Sequence, residues 1–318
     1  MTAASAYGFD RPVIILGSPR AGTSILGRLL QAHPAFVHVK EPRFIWRYGN
    51  DGRSDMFQAR HARPEVVAHI RKRFARILAE GGGQRLLEKT PTNSLRVPFV
   101  EQVFPDAVYV HVMRNGYDCA ASIRSYWLNS TSGVANGRIG DKKSILWQRF
   151  AEAEPRQVPF YLWELLARLL PGRPGEPKTM WGPRLPGMAQ MVRDMDLIEV
   201  AGLQWRECVE RGAIDGRALG PKRYMEIRLE TLTLERVAEV LKHCGLDMVP
   251  EVEANFRAEF DSGKHLSRRT SLSAADRSAL RRVITPTMQW LGYDEPSGSS
   301  LAETQHAAPV APIKETAP

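Results

Sequence analysis

The sequence predicts an α/β fold with a central parallel sheet of about five strands flanked by helices. Three observations predict it. Short apolar, β-branched runs recur at 13–16, 36–39, 85–87, 107–113 and 223–228; helical patterns lie between most of them; and a glycine-containing turn joins the first run to the first helix. Strands that alternate with helices are joined by crossovers, which give parallel sheets covered on their faces.

Val13-Ile14-Ile15-Leu16 is a buried-strand pattern, and Ile25, Leu26, Leu29 and Leu30 follow at helical spacing over 23–32. The second strand, 36–39, comes after His33-Pro34, which ends that helix. A helix over 64–79 leads to the third strand at 85–87, and a helix over 97–104 leads to the fourth. Helical pattern resumes at 117–127, is interrupted over 129–187, and returns at 188–211, 234–244 and 274–290. Ser273 with Asp276 makes an N-cap for the last of these. The organisation expected is a flexible stretch over 1–11, one domain over 12–295 with an insertion near 129–187, and a disordered Ser/Gly/Ala/Pro tail over 296–318.

The chain has 318 residues, 43% hydrophobic and 25% charged, which is ordinary for a soluble globular protein. Three widely spaced cysteines, Cys119, Cys208 and Cys244, make neither a disulfide framework nor a zinc site. The first ten residues lack the basic and apolar regions of a signal peptide, and no apolar run reaches membrane-span length. A cytoplasmic protein is expected. The net charge of +9 favours an anionic partner without choosing which one.

Ligands of such sheets bind beyond the carboxyl ends of the strands, here just after Leu16, Val39, Leu87 and Met113. After Leu16 the chain reads G-S-P-R-A-G-T-S, which keeps the glycine spacing of a phosphate-cradling P-loop, but Thr23 stands where nucleoside-triphosphatases need lysine. Backbone amides, the helix N-terminus, Arg20 and the hydroxyls of Thr23 and Ser24 still suit an anion. A magnesium-bound triphosphate is poorly served. After Met113, Arg114 offers a planar donor fork and Ser122 a hydroxyl two helical turns on.

Together, P-R-x-G-T-S after the first strand, K-T-P after the third and R-x-G-x-x-x-x-x-S after the fourth resemble the sulfotransferases that use 3′-phosphoadenosine 5′-phosphosulfate (PAPS). The resemblance runs from residue 12 to the L-G-Y-D at 291–294, excluding the insertion. It implies a P-loop nucleotide-kinase-like three-layer sandwich, PAPS as donor and adenosine 3′,5′-bisphosphate (PAP) as product. By the same resemblance Arg20, Ala21, Gly22, Thr23 and Ser24 hold the 5′-phosphosulfate, and Arg114 and Ser122 hold the 3′-phosphate. Arg20 takes a position where many members have lysine, which adds it to the catalytic candidates. Arg268 and Arg269, in the basic segment around His265, match the loop that grips the 3′-phosphate.

The small-molecule members place a histidine base two residues before the proline that follows the third strand. This chain has Lys89 there, in L-E-K-T-P. Tyrosylprotein sulfotransferases instead have lysine at that point and a glutamate base after the second strand, following an H-P; here V-K-E-P places Glu41 in that position. The resemblance is thus closer to the glutamate-base branch. The chemistry agrees: sulfuryl transfer needs a base for the acceptor hydroxyl and a cation at the leaving group, and no metal. Glu41 and Lys89 suit those roles.

One departure is Leu229 in L-E-T-L, where many members carry a tyrosine that contacts the nucleotide. His111, inside a strand, is read as structural. The insertion, with Trp147, Phe150, Phe160, Tyr161, Trp163 and Trp181, is a candidate cover for the site. A glycan, a lipid or a small hydroxylated metabolite is the expected acceptor, with no nucleic-acid partner and no integral membrane segment. Two alternatives stand: a P-loop small-metabolite kinase, and a non-catalytic basic module that binds nucleotide or nucleic acid.

Overall fold

A computed structural model describes residues 9–131, 154–167, 181–260 and 272–293 of the chain. Five parallel strands, β1 (Val13–Leu16), β2 (Phe36–Lys40), β3 (Arg85–Lys89), β4 (Val108–Met113) and β5 (Tyr224–Arg228), form one sheet in the order β2-β3-β1-β4-β5. The first strand therefore lies in the middle, with β3 and β4 on either side. The registers Lys40↔Lys89, Ile15↔Lys89 and Leu16↔His111 align the carboxyl ends of β2, β3, β1 and β4. The loops that leave those ends share one edge of the sheet.

Alternation along β1 explains the three layers. Val13 and Ile15 pack with Leu26 and Leu29 of α1 (Thr23–Leu30), whereas Ile14 and Leu16 face the opposite side. There they meet Trp46 of α2 (Arg43–Arg47), Ile70 and Phe74 of α3 (Pro64–Gly81) and Phe99 of α4 (Val97–Val103). All four β1 residues are 0% exposed, as expected of a strand covered on both faces. A third cluster joins α5 (Gly116–Thr131) to the helices of the C-terminal half, around Trp127 and Trp205.

Residues 154–167 contain α6 (Val158–Ala167), and α7 (Met188–Asp194) and α8 (Leu197–Ala218) come next among the described residues. The single helix read from the sequence over 188–211 is two. Met195 is extended, and Asp196 makes a capping box with Glu199 that starts α8 afresh. Helices α9 (Leu234–His243), α10 (Pro250–Glu259) and α11 (Ala274–Trp290) complete the described structure. The Ser273–Asp276 capping box opens α11. Packing begins before residue 12, because Phe9 meets Phe104 edge-on at 4.9 Å.

No helix among the described residues is long and apolar enough to cross a membrane, and no cluster of three or more metal-ligating side chains occurs among them. Cys119, Cys208 and Cys244 are buried free thiols.

Candidate active site

The loop after β1 is built on two glycines that no other residue replaces easily. Gly17 has φ +148°, and a Cβ there would lie 2.6 Å from the Val112 carbonyl oxygen. Gly22 has φ +103° and leads into α1, where the Thr23 and Ser24 amides precede the first bonds of the helix, made by Ile25 and Leu26 N–H to the Gly22 carbonyl. Gly17 N–H donates to Ser94 Oγ at 2.7 Å, which ties this loop to the one-turn helix Pro91–Leu95 after β3. Thr23 and Ser24 stand at the start of α1, where hydroxyls and the helix dipole favour an anion.

Arg114 and Ser122 both converge on this loop. Arg114 Nη1 donates to the Arg20 carbonyl at 3.2 Å, and Arg20 Nε donates to Ser122 Oγ at 3.0 Å. The Arg20 guanidinium lies 4.4 Å over the Tyr126 ring, so it is drawn to α5. Three supports fix the turn after β4: Trp205 Nε1 donates to the Arg114 carbonyl, Asn115 N–H donates to Glu230, and Gly116 N–H points at Met288 Sδ. Residues predicted from two separate motifs thus share one locus.

Leu229 does not replace the missing tyrosine contact. Its side chain is buried, and its Cδ atoms lie 2.7–2.9 Å from where a Gly22 Cβ would be, so it packs beneath the loop. Tyr224 is engaged elsewhere, between His111 Nδ1 at 2.7 Å and Glu226 at 3.0 Å. His111 is fully buried, and burial lowers its pKa to about 4, so it is a neutral structural side chain. Arg268, Arg269 and His265 lie outside the described residues.

At the ends of β2 and β3, Lys89 Nζ donates to Glu41 Oε1 in a close ion pair. The Lys89 side chain is 0% exposed, and that of Glu41 is 42% exposed. Glu41 adopts φ +54°, a left-handed conformation that costs a non-glycine residue roughly 1–2 kcal/mol. Its amide donates to the Lys89 carbonyl at 2.9 Å and its carbonyl accepts from Arg43 N–H at 2.8 Å, so the turn into α2 sustains the strained backbone. Burial alone would raise the Glu41 carboxyl, but Lys89, supported by Arg43 and Lys40, outweighs it and holds the group below the ordinary carboxylate range. Burial lowers the Lys89 ammonium, against the pull of Glu41.

Behind this pair stands a residue that motif reading missed. Glu88 is 0% exposed and accepts from Trp46 Nε1 at 3.0 Å, Asn93 Nδ2 at 2.8 Å and the Thr90 hydroxyl. Burial pushes its carboxyl up to about 7. Beside it, Arg96 and Arg47 flank the buried carboxylate of Asp55. A glutamate inside the apolar run R-L-L-E-K was the available signal, because a strand buried on both faces leaves a charge nowhere to go without partners.

These parts border a cleft lined by Pro19, Arg20, Thr23 and Ser24 from the loop after β1, Glu41 and Arg43 from the turn after β2, Thr90, Pro91 and Thr92 from the turn after β3, and Trp181, Gly182 and Pro183. A glycine-built loop with two hydroxyls and an arginine, and a carboxylate that buried Lys89 holds ionised, thus line one space. Residues 12–158 match the model of the sulfotransferase family. Over those residues the chain is similar to sulfotransferases. Over 134 residues, 36% of this chain, it is 30% identical to the nodulation protein NoeE of Sinorhizobium fredii; the match spans 31% of that protein's length.

The fold is that of solved sulfotransferases. The structure of sulfotransferase STF9 from Mycobacterium avium aligns with a TM-score of 0.53 at 16% identity, covering 92% of this chain and 79% of that one. The sulfotransferase domain from the curacin biosynthetic pathway aligns with a TM-score of 0.52 at 13% identity, over 91% of this chain and 100% of the domain.

Proposed function

We propose that the chain transfers a sulfuryl group from PAPS to an acceptor hydroxyl, with Glu41 as general base and Lys89 stabilising the leaving group. The observation that carries the reading is Glu41, ion-paired to the buried Lys89, lining the same cleft as Arg20, Thr23 and Ser24. The donor set fits a phosphosulfate: amides at the start of α1, the Thr23 and Ser24 hydroxyls, and cationic Arg20, with Arg114 and Ser122 at the second phosphate. Ala21 and Gly22 contribute backbone only.

The roles follow from the two environments. PAPS supplies the sulfuryl group. Glu41, held ionised and accessible, takes the acceptor hydroxyl proton as the acceptor oxygen bonds to sulfur. The bond from sulfur to the bridging phosphate oxygen breaks, and charge gathers on PAP. Lys89 is buried where that charge develops, so its ammonium is worth more than it would be in water. In the free protein Lys89 is occupied by Glu41; a phosphosulfate competes for it and leaves the carboxylate ready for a proton. Arg20 neutralises the donor from the α5 side, and Arg268 and Arg269 are assigned to the 3′-phosphate.

The reaction uses no metal, and the acceptor is a glycan, a lipid or a small hydroxylated metabolite, in a cytoplasmic setting. The reading is tested by PAP release from PAPS in the presence of hydroxyl acceptors. Release by the wild type and its loss in Glu41→Ala, with PAP affinity retained, is expected. Full activity of Glu41→Ala would remove the base from the reading.

A further inference from the structure

The roles above use two sides of the cleft and leave unexplained the third, residues 181–184. This stretch is irregular chain, yet buried polar groups hold it at several points. Gln204, 0% exposed, donates Nε2 to the Trp181 carbonyl at 2.8 Å and the Pro183 carbonyl at 3.0 Å, while its Oε1 accepts from Trp127 Nε1 at 3.2 Å. Gly182 has φ +83°, and a Cβ there would come within 2.9 Å of Gln204 Nε2. Arg184 N–H donates to Asp55 Oδ2 at 2.7 Å, and Asp55 N–H donates back to the Arg184 carbonyl at 2.7 Å. Asp55 is itself buried against Arg47, one helix turn beyond Arg43 and the strained Glu41. The strap is therefore fixed to the same scaffold as the base.

What the strap presents is an aromatic surface. The Trp181 ring lies 5.2 Å from Tyr126 at 31°, and Tyr126 carries the Arg20 guanidinium. The shelf thus starts at Arg20 and ends at Trp181, which is half-buried and lines the same cleft as Glu41. Rigid aromatic side chains recognise flat apolar faces at low entropic cost, and a few fixed polar groups then orient the ligand.

We infer that Trp181 is a specificity-determining residue, the shelf on which the acceptor lays a ring face, aromatic or pyranose, beside the hydroxyl that Glu41 deprotonates. Gln204 and Asp55 are its positioning residues. A linear alcohol has no such face and gains nothing from the shelf. The inference rests on the sulfuryl-transfer reading of the cleft.

The test is calorimetry of the full chain, with and without saturating PAP, using 2-naphthol, a methyl pyranoside and 1-hexanol as probes. At least one ring probe is expected to bind the PAP-loaded chain about ten-fold more tightly than 1-hexanol, and the pair of ring probes distinguishes an aromatic from a sugar acceptor. Trp181→Ala should abolish that preference, Trp181→Phe should restore part of it, and both should leave PAP affinity within about two-fold. Gln204→Ala should weaken the ring probe without changing 1-hexanol binding. Equal affinity for ring and linear probes, no binding of either ring probe, or a preference that survives in Trp181→Ala would overturn the inference. Absence of PAP binding would instead defeat the sulfuryl-transfer reading, while ring-probe binding to the unloaded chain would still judge the shelf.

Discussion

Glu41 and Glu88 sit at the ends of neighbouring strands, one on each side of Lys89, and their environments drive them apart. Glu41 is partly exposed and ion-paired, so its proton is released below the ordinary carboxylate range. Glu88 is wholly buried among three neutral donors, and its carboxyl is pushed up to about 7. Proximity to a lysine does not by itself keep a carboxyl ionised; exposure on the cleft side and a direct ion pair do. Glu41 faces the cleft, whereas Glu88 shapes the Thr90–Asn93 turn that, through Ser94, holds Gly17.

Substitutions separate the two carboxylates. The largest effect is expected for Glu41→Ala, a fall in PAP release from PAPS of around 10²-fold or more, the usual scale for losing a general base. Lys89→Ala should lower turnover by about 10²-fold through loss of leaving-group stabilisation, and it should return the Glu41 carboxyl toward its ordinary range, read by a pH–rate profile. Arg114→Ala should leave the chemistry to Glu41 and weaken PAP binding by about 10-fold, the scale of a lost charge-assisted hydrogen bond, measured by calorimetry.

Glu88→Gln should change turnover least and pH-dependent stability most. Between the ordinary value of 4.5 and about 7, the folded chain binds a proton at Glu88 that the unfolded chain does not, so this group's contribution falls as pH rises through that window. At about 1.4 kcal/mol per pH unit the loss is of order 3 kcal/mol, and urea unfolding at several pH values should find it flattened in the variant. Stability of the variant should also be lower throughout, because an amide nitrogen would oppose the Asn93 side-chain amide.

Much of the fold was legible because it rests on local patterns. Val13–Leu16 and Ala274–Trp290 match their predicted spans to the residue, through β-branched periodicity in one and a Ser273–Asp276 cap in the other. Short elements were not legible: Arg43–Arg47 is five residues of mixed character whose start depends on the left-handed turn at Glu41. Thr23, Ser24, Arg114, Ser122, Glu41 and Lys89 could be singled out in the sequence because each belongs to a spaced motif that follows a strand. Glu88, Tyr126 and Gln204 could not, because their places come from contacts across 42 residues in the Trp46–Glu88 bond and 23 in the Gln204–Trp181 bond. No sequence period encodes such pairings.

The proposed function requires that the cleft hold a phosphosulfate donor and not a magnesium-bound triphosphate. Calorimetry of the full chain with adenosine 3′,5′-bisphosphate and, separately, with ATP and magnesium distinguishes the two. Saturable binding of the bisphosphate without added metal and much weaker binding of ATP with magnesium are expected. Tight binding of ATP with magnesium alone would contradict it.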